Sequence, residues 1–281
     1  MGRVADLVEL VRAPAGLSVP GDVVAGAAAA GTLGRRTPVL AGASVLLYWG
    51  GMAANDWADR RLDAVERPER PIPSGRISPS EAFGVAAGLT VAGVALAAAA
   101  GGRRAAAVAV PLAATVWGYD LAAKNTAAGP VVMAACRGLD VLLGATAGRL
   151  VRAVPAALTV AAHTWTVTEL SRREVTGADR RLPRATLAGT ALVAAAAVGP
   201  RPAVVPAALA AGYATRYGGA QTRVLTDPSP GAVRAAVGAG ITGLPALQGA
   251  LTARAGARVL GLAVAAAAPL GRRLARLVSP T

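Results

Sequence analysis

A succession of uncharged Ala, Val, Leu and Gly stretches constrains this chain more than any other feature. Each runs about 15 to 20 residues, the length of helix that crosses the hydrocarbon core of a bilayer. The stretches lie at about residues 15–33, 38–54, 80–100, 104–119, 129–148, 153–168, 184–199, 202–219, 232–251 and 256–271. Nine or ten spans follow, and the expected fold is all-α: one polytopic membrane helix bundle over residues 1–281. Prolines and glycines recur inside the stretches, as bilayer helices tolerate when neighbouring helices satisfy the freed backbone groups, and small residues allow close helix contact.

The formal charge of +14 does not mark a nucleic-acid binder. With a single Phe and four Tyr there is no aromatic interleaving, and the arginines stand in short clusters between apolar runs. The lone cysteine, Cys136, has no intramolecular disulfide partner and reads as buried filler. Asp6 and Glu9 precede the first apolar run, unlike a cleavable signal peptide, so that first span is expected to stay. Ten spans put both termini on one side. The connections then divide into a face with long loops (55–79, 120–128, 169–183, 220–231) and a face with short ones. The long-loop face, termini included, holds nineteen basic residues, and the short connections hold nine. All fifteen acidic residues fall on the long-loop face or in the helices. By the positive-inside rule the long loops are expected in the cytoplasm of a cell-membrane protein.

The densest polar stretch is Asn55-Asp56-Trp57-Ala58-Asp59-Arg60-Arg61-Leu62-Asp63, at the end of the second apolar run. If the helix continues, Asp56, Asp59 and Asp63 share one face and repel one another, so a cation is needed. Carboxylate oxygens suit Mg²⁺, which binds through a few carboxylates plus substrate phosphates. The competing reading is a solvated helix end paired with Arg60 and Arg61. Next comes a proline-set loop with three arginines, Arg67, Arg70 and Arg76, whose guanidinium forks match phosphate oxygens; anionic lipid headgroups are the alternative, particularly for Arg76.

The pattern Asn55-Asp56-x-x-Asp59-x-x-x-Asp63, followed by Arg70-Pro71-Ile72-Pro73-Ser74-Gly75, resembles the first aspartate-rich motif of the UbiA superfamily of intramembrane prenyltransferases. The resemblance extends through Tyr119-Asp120-x-x-x-Lys124, Arg137-x-x-Asp140 and a polar loop after the sixth span. It implies a UbiA-like enzyme that moves a prenyl group from a prenyl diphosphate, with Mg²⁺, onto an acceptor that no residue here identifies. Asp56, Asp59 and Asp63 would hold the metal, while Asn55, Arg70, Tyr119, Lys124, Arg137, Asp140 and Arg173 would contact substrate. Lys124 is the only lysine among twenty-nine basic residues, and the resemblance gives it a diphosphate contact; a snorkelling helix-end lysine is the alternative. Arg137 and Asp140, at i and i+3 inside a span, either pair with each other or face substrate. Asp140 stands where the family often has Asn.

The second acidic cluster, Glu169 to Asp179, departs from the family's two aspartates four apart, leaving Glu169 and Glu174 as the expected further metal ligands. This departure resembles the EboC-like bacterial branch. His163 is either an acceptor base or a hydrogen-bonded packing residue. Two rival classes are weighed against the transferase. Membrane CDP-alcohol phosphotransferases need an Asp-Gly pair, and Asp56-Trp57-Ala58-Asp59 has none. A cation-coupled transporter would carry mid-span carboxylates and a repeat between halves, and only Asp22 and Asp140 lie well inside spans.

Overall fold

A computed structural model describes residues 2–201 and 203–267. It is an all-helical bundle: α1 (Arg3–Leu10), α2 (Pro20–Ala30), α3 (Arg36–Glu66), α4 (Pro79–Gly118), α5 (Gly129–Gly144), α6 (Leu150–Ser171), α7 (Arg181–Val198), α8 (Val204–Tyr213), α9 (Gly219–Thr226), α10 (Pro230–Arg254) and α11 (Arg258–Ala267). Short π turns at Tyr119–Ala123 and Ala214–Gly218 prolong α4 and α8. The part of the last apolar stretch beyond residue 267 lies outside the described residues.

Within the described residues, each of the ten apolar stretches forms helix. Two of them belong to α4, which is broken at Gly102, whose φ of 65° and ψ of −155° lie where only glycine sits without strain. The limbs 79–101 and 103–118 fold back on each other, since the Phe83 and Trp117 rings stand 5.9 Å apart and Trp117 Nε1 donates to Thr90 Oγ1 at 3.1 Å. A straight helix of 40 residues would measure about 60 Å, twice a hydrocarbon core, so the hairpin makes two spans of one helix. Among the described residues, α3 and the α4 segment each meet the length and hydropathy of a membrane crossing by themselves. Large apolar side chains face outward on most helices, among them Val91, Val110, Val131, Leu158, Leu192 and Ile241, as a lipid-facing belt requires.

Two large apolar cores dominate the bundle. One lies among α3, the α4 limbs and α5, around Leu40, Leu47, Leu112 and Leu143. The other lies among α6, α7, α8 and α10, around Val160, Tyr213, Val233 and Leu247. Helices α2 and α5 join them and cross almost backbone to backbone. A Cβ on Gly26 would lie 1.8 Å from the Val141 carbonyl oxygen, and one on Gly144 would lie 2.0 Å from that of Val23.

Candidate active site

The site begins where α3 outruns its apolar stretch. Residues 38–54 pack as a span, yet the helix continues unbroken to Glu66 and carries the polar residues of its last turns on a rigid rod. Asp56 and Asp63 are buried at 4% and 3% exposure, so neither is part of a solvated helix end. Arg70 explains how two carboxylates share that burial: its Nη1 lies 2.6 Å from Asp63 Oδ2 and 3.3 Å from Asp56 Oδ1. One nitrogen reaching both confirms that positions seven apart share a face.

Arg70 is held by its loop. Ser74 N–H and Oγ both donate to the Arg70 carbonyl, Ile77 N–H donates to that of Pro71, and Gly75 turns the chain at φ 76°. Ile72 and Ile77 anchor this turn in a small core with Leu10, Ala53 and Ala82. Arg76 does not face lipid headgroups. It pairs with Asp6 at 2.5 Å and Glu9 at 2.8 Å and donates to the Glu69 carbonyl, strapping α1 across the mouth. Those carboxylates, Glu9 foremost, hold the Arg76 guanidinium above its ordinary pKa.

Asp59 points elsewhere. At 3.6 residues per turn it is rotated about 60° from Asp56, and its Oδ1 meets Lys124 Nζ at 2.5 Å. Lys124 is therefore not snorkelling; its side chain is 15% exposed and turned into the bundle. One turn deeper, Asn55 Nδ2 donates to Asp120 Oδ1 at 3.2 Å. The residue pairs 55/59 and 120/124 thus make two rungs between α3 and the π turn after α4. Arg60 stacks on the Trp57 ring at 4.7 Å, so it does not neutralise the aspartates.

Arg12 completes the cluster, and nothing in its sequence surroundings singles it out. Its Nη2 lies 2.6 Å from Asp56 Oδ1, and its backbone, at φ 46° and ψ 52°, is the single left-handed non-glycine conformation among the described residues. Three aspartates are thus matched by Arg12, Arg70 and Lys124.

Below the rungs opens a cavity among α3, the second limb of α4 and α5, lined by apolar side chains such as Leu47, Met52, Val116 and Met133. Tyr119 and Asp120 stand at one end, and Ser44, Arg137 and Asp140 at the other, with Cys136 in the wall. Arg137 and Asp140 do not pair with each other, and both line the cavity. Arg137 Nε lies 2.8 Å from Asp22 Oδ2, and Asp140 Oδ1 accepts from Ser44 Oγ at 2.6 Å. The close crossing at Gly26 and Gly144 brings Asp22 against α5, and Gln248 Nε2 donates to its other oxygen at 2.7 Å. A pairing across helices of this kind carries no sequence spacing.

Among the described residues no hydrogen bond or ion pair links the second acidic cluster to the first. Among the described residues no three carboxylate, His or Cys side chains converge into a ready metal cage. Glu169 is half-buried at the end of α6. Glu174 lies against Arg234 of α10, which donates to its carbonyl at 2.8 Å; partial burial raises the Glu174 carboxyl above the usual range and Arg234 opposes the rise. Arg173 is exposed, and its neighbour Arg172 ties the loop to the Thr126 carbonyl, two residues past Lys124. His163 is a packing residue: its Nδ1 lies 2.9 Å from Tyr213 Oη, deep in the second core.

The model of the UbiA prenyltransferase family matches residues 19–188, a span that contains the aspartate stripe, the loop of Arg70, both rungs and the cavity. The chain belongs to the UbiA prenyltransferase family. Among curated relatives, the digeranylgeranylglyceryl phosphate synthase of Methanothrix thermoacetophila is 56% identical over 59 residues, covering 21% of this chain and 22% of that protein. The enzyme of the same name from Ignicoccus hospitalis is 38% identical over 92 residues, 33% of this chain and 30% of that one. The chain thus spans about a quarter of the length of these curated relatives. Over the whole fold, a solved structure described for digeranylgeranylglyceryl phosphate synthase in membranes superposes with a TM-score of 0.71 at 18% identity, covering 91% of this chain and 99% of that one. A UbiA homologue from Archaeoglobus fulgidus, bound to GPP and Mg²⁺, gives 0.62 at 15% identity, covering 93% and 99%. The all-helical membrane bundle of this family is therefore the fold of this chain.

Proposed function

We propose that this protein transfers a prenyl group from a prenyl diphosphate, with Mg²⁺, to an acceptor delivered from the membrane or the cytoplasm. The observation that carries the reading is the matched set of three aspartates and three cations placed directly above an apolar cavity. A prenyl diphosphate has the same division, with two phosphates at one end and hydrocarbon at the other.

The residues fit the metal in donor chemistry. Asp56, Asp59 and Asp63 offer hard carboxylate oxygens, and Mg²⁺ usually binds one or two carboxylates together with substrate phosphates instead of a closed protein cage. When bound, Mg²⁺ supplies positive charge to the leaving diphosphate. With the metal held by the aspartates, Arg12, Arg70 and Lys124 would be free to donate to phosphate oxygens, and charge would stay balanced with substrate bound. They stand preplaced where charge develops while the allylic C–O bond breaks, which is the condition for electrostatic catalysis. The apolar wall of Leu47, Met52, Val116 and Met133 keeps water from the allylic carbon. Glu169, at the end of α6, and Glu174, in the loop after it, remain part of the proposal as further metal ligands.

Mass spectrometry of products from prenyl diphosphates of several lengths, with Mg²⁺ and a host lipid and small-molecule extract, tests the reading. A prenylated product, digeranylgeranylglyceryl phosphate or another, is expected, and Asp56→Ala, Asp59→Ala and Asp63→Ala should each abolish it while the protein stays folded in detergent. Chelating the metal should stop turnover and leave thermal stability unchanged, because the aspartates already have Arg and Lys partners. Near-normal Mg²⁺-dependent activity in all three variants would remove the proposed site.

A further inference from the structure

The motif Tyr119-Asp120-x-x-x-Lys124 contains a carboxylate to which neither the metal nor the diphosphate gives a role. Asp120 is buried at 6% exposure in a π turn, a local widening of the helix that often marks functional positions. The widening turns its side chain inward, toward α3. Asn55 fixes one oxygen at 3.2 Å. The other, Oδ2, stands beside Gly51, 3.7 Å from where a Cβ on that glycine would lie, and both residues line the cavity. Asp120 also lines the apolar cavity, and the Lys124–Asp59 pair lies one turn toward the mouth.

This placement is specific in chemical terms. A prenyl diphosphate with its phosphates at Arg12, Arg70 and Lys124 and its chain in the cavity has its reacting carbon at the boundary between the two, and Asp120 stands at that boundary. A carboxylate so deep in a bundle is costly to keep without a use. Resting on the transferase reading above, we propose that Asp120 is the catalytic base that receives the acceptor's proton. The C1–O bond breaks with its electron pair leaving on the diphosphate. An electron pair of the acceptor X–H forms the new C1–X bond, and the X–H proton passes to Asp120 Oδ2, which later returns it to water through the mouth. Before that transfer the carboxylate faces the allylic cation and stabilises it. Asn55 is the positioning residue, holding Oδ1 so that Oδ2 stays turned to the cavity.

Asp120→Asn keeps the shape and the contact with Asn55 but not the ability to take a proton. With geranyl diphosphate, Mg²⁺ and the same extract, it should lower product formation by about 10²- to 10⁴-fold, the span of general base catalysis. Binding of a non-hydrolysable geranyl diphosphate analogue, measured by isothermal titration, should be unchanged, which also reports that the variant is folded. Asp120→Glu should restore part of the turnover. Equal product formation in Asp120→Asn and wild type overturns the proposal alone. So does a loss of turnover matched by an equal loss of analogue affinity, since Asp120 then only shapes the pocket. Absence of product from the wild-type protein with every donor overturns the transferase reading, and this proposal with it.

Discussion

At the scale of single residues, the chemistry depends on cations held ready beside carboxylates. Lys124 shows why residue type matters there. Its ammonium sits 2.5 Å from Asp59 in a half-closed site, with Arg172 binding the turn just beyond it. A compact ammonium held in that space has narrower geometry than a planar guanidinium fork. Lys124→Ala is expected to weaken binding of a non-hydrolysable prenyl diphosphate analogue with Mg²⁺ by about 1.5 to 3 kcal/mol, the range for hydrogen bonds to charged groups. Lys124→Arg should recover only part of that affinity. Isothermal titration measures both, and unchanged affinity in the alanine variant would leave Arg12 and Arg70 as the diphosphate's basic contacts.

Between elements, the crossing of α2 and α5 sets where Arg137 stands at the cavity's end. Val23 and Gly144 meet so closely that any side chain at 144 collides with backbone, which cannot rotate away as a flexible side chain could. Separating the helices would also pull Asp22 from Arg137 and leave two buried charges unpaired. Gly144→Val should therefore destabilise the protein by about 1 to 3 kcal/mol from overpacking alone. A lowered thermal transition in detergent checks this, and an unchanged one would show that the crossing can open without cost. The same scale shows why helix spacing was readable for Asp56 and Asp63 and not for Arg137. The former pair lies on one continuous rod whose period is written in the chain. The latter met its partner 115 positions away, through two glycines whose role appears only once the helices cross.

For the molecule as a whole, the expectation still to be tested is orientation. Aspartates, arginines and the strap formed by α1 gather at one end of the bundle, and the counts of basic residues predict that this end faces the cytoplasm. Cysteines placed at Ser74 and Thr176 in a Cys136→Ser background should resist an impermeant thiol reagent in intact cells and react after permeabilisation. Labelling of both without permeabilisation would invert the topology and move the chemistry to the opposite leaflet. Ser74 and Thr176 are both exposed, so lack of reaction in intact cells would report sidedness and not burial.

The amino-acid sequence by itself determined the helical membrane class, the approximate ten spans and the shared face of Asp56 and Asp63, because bilayer thickness and the helical period are local rules acting along one segment. Only the tertiary structure decided which charges meet. It set Arg12 on Asp56 through a strained turn, moved Arg76 from lipid to Asp6 and Glu9, and placed Glu174 beside Arg234. It also turned Asp120 toward a cavity that no single helix encloses. Pairing between buried charges depends on distance in space, and a chain of packed helices brings together residues whose separation in sequence carries no trace of that distance.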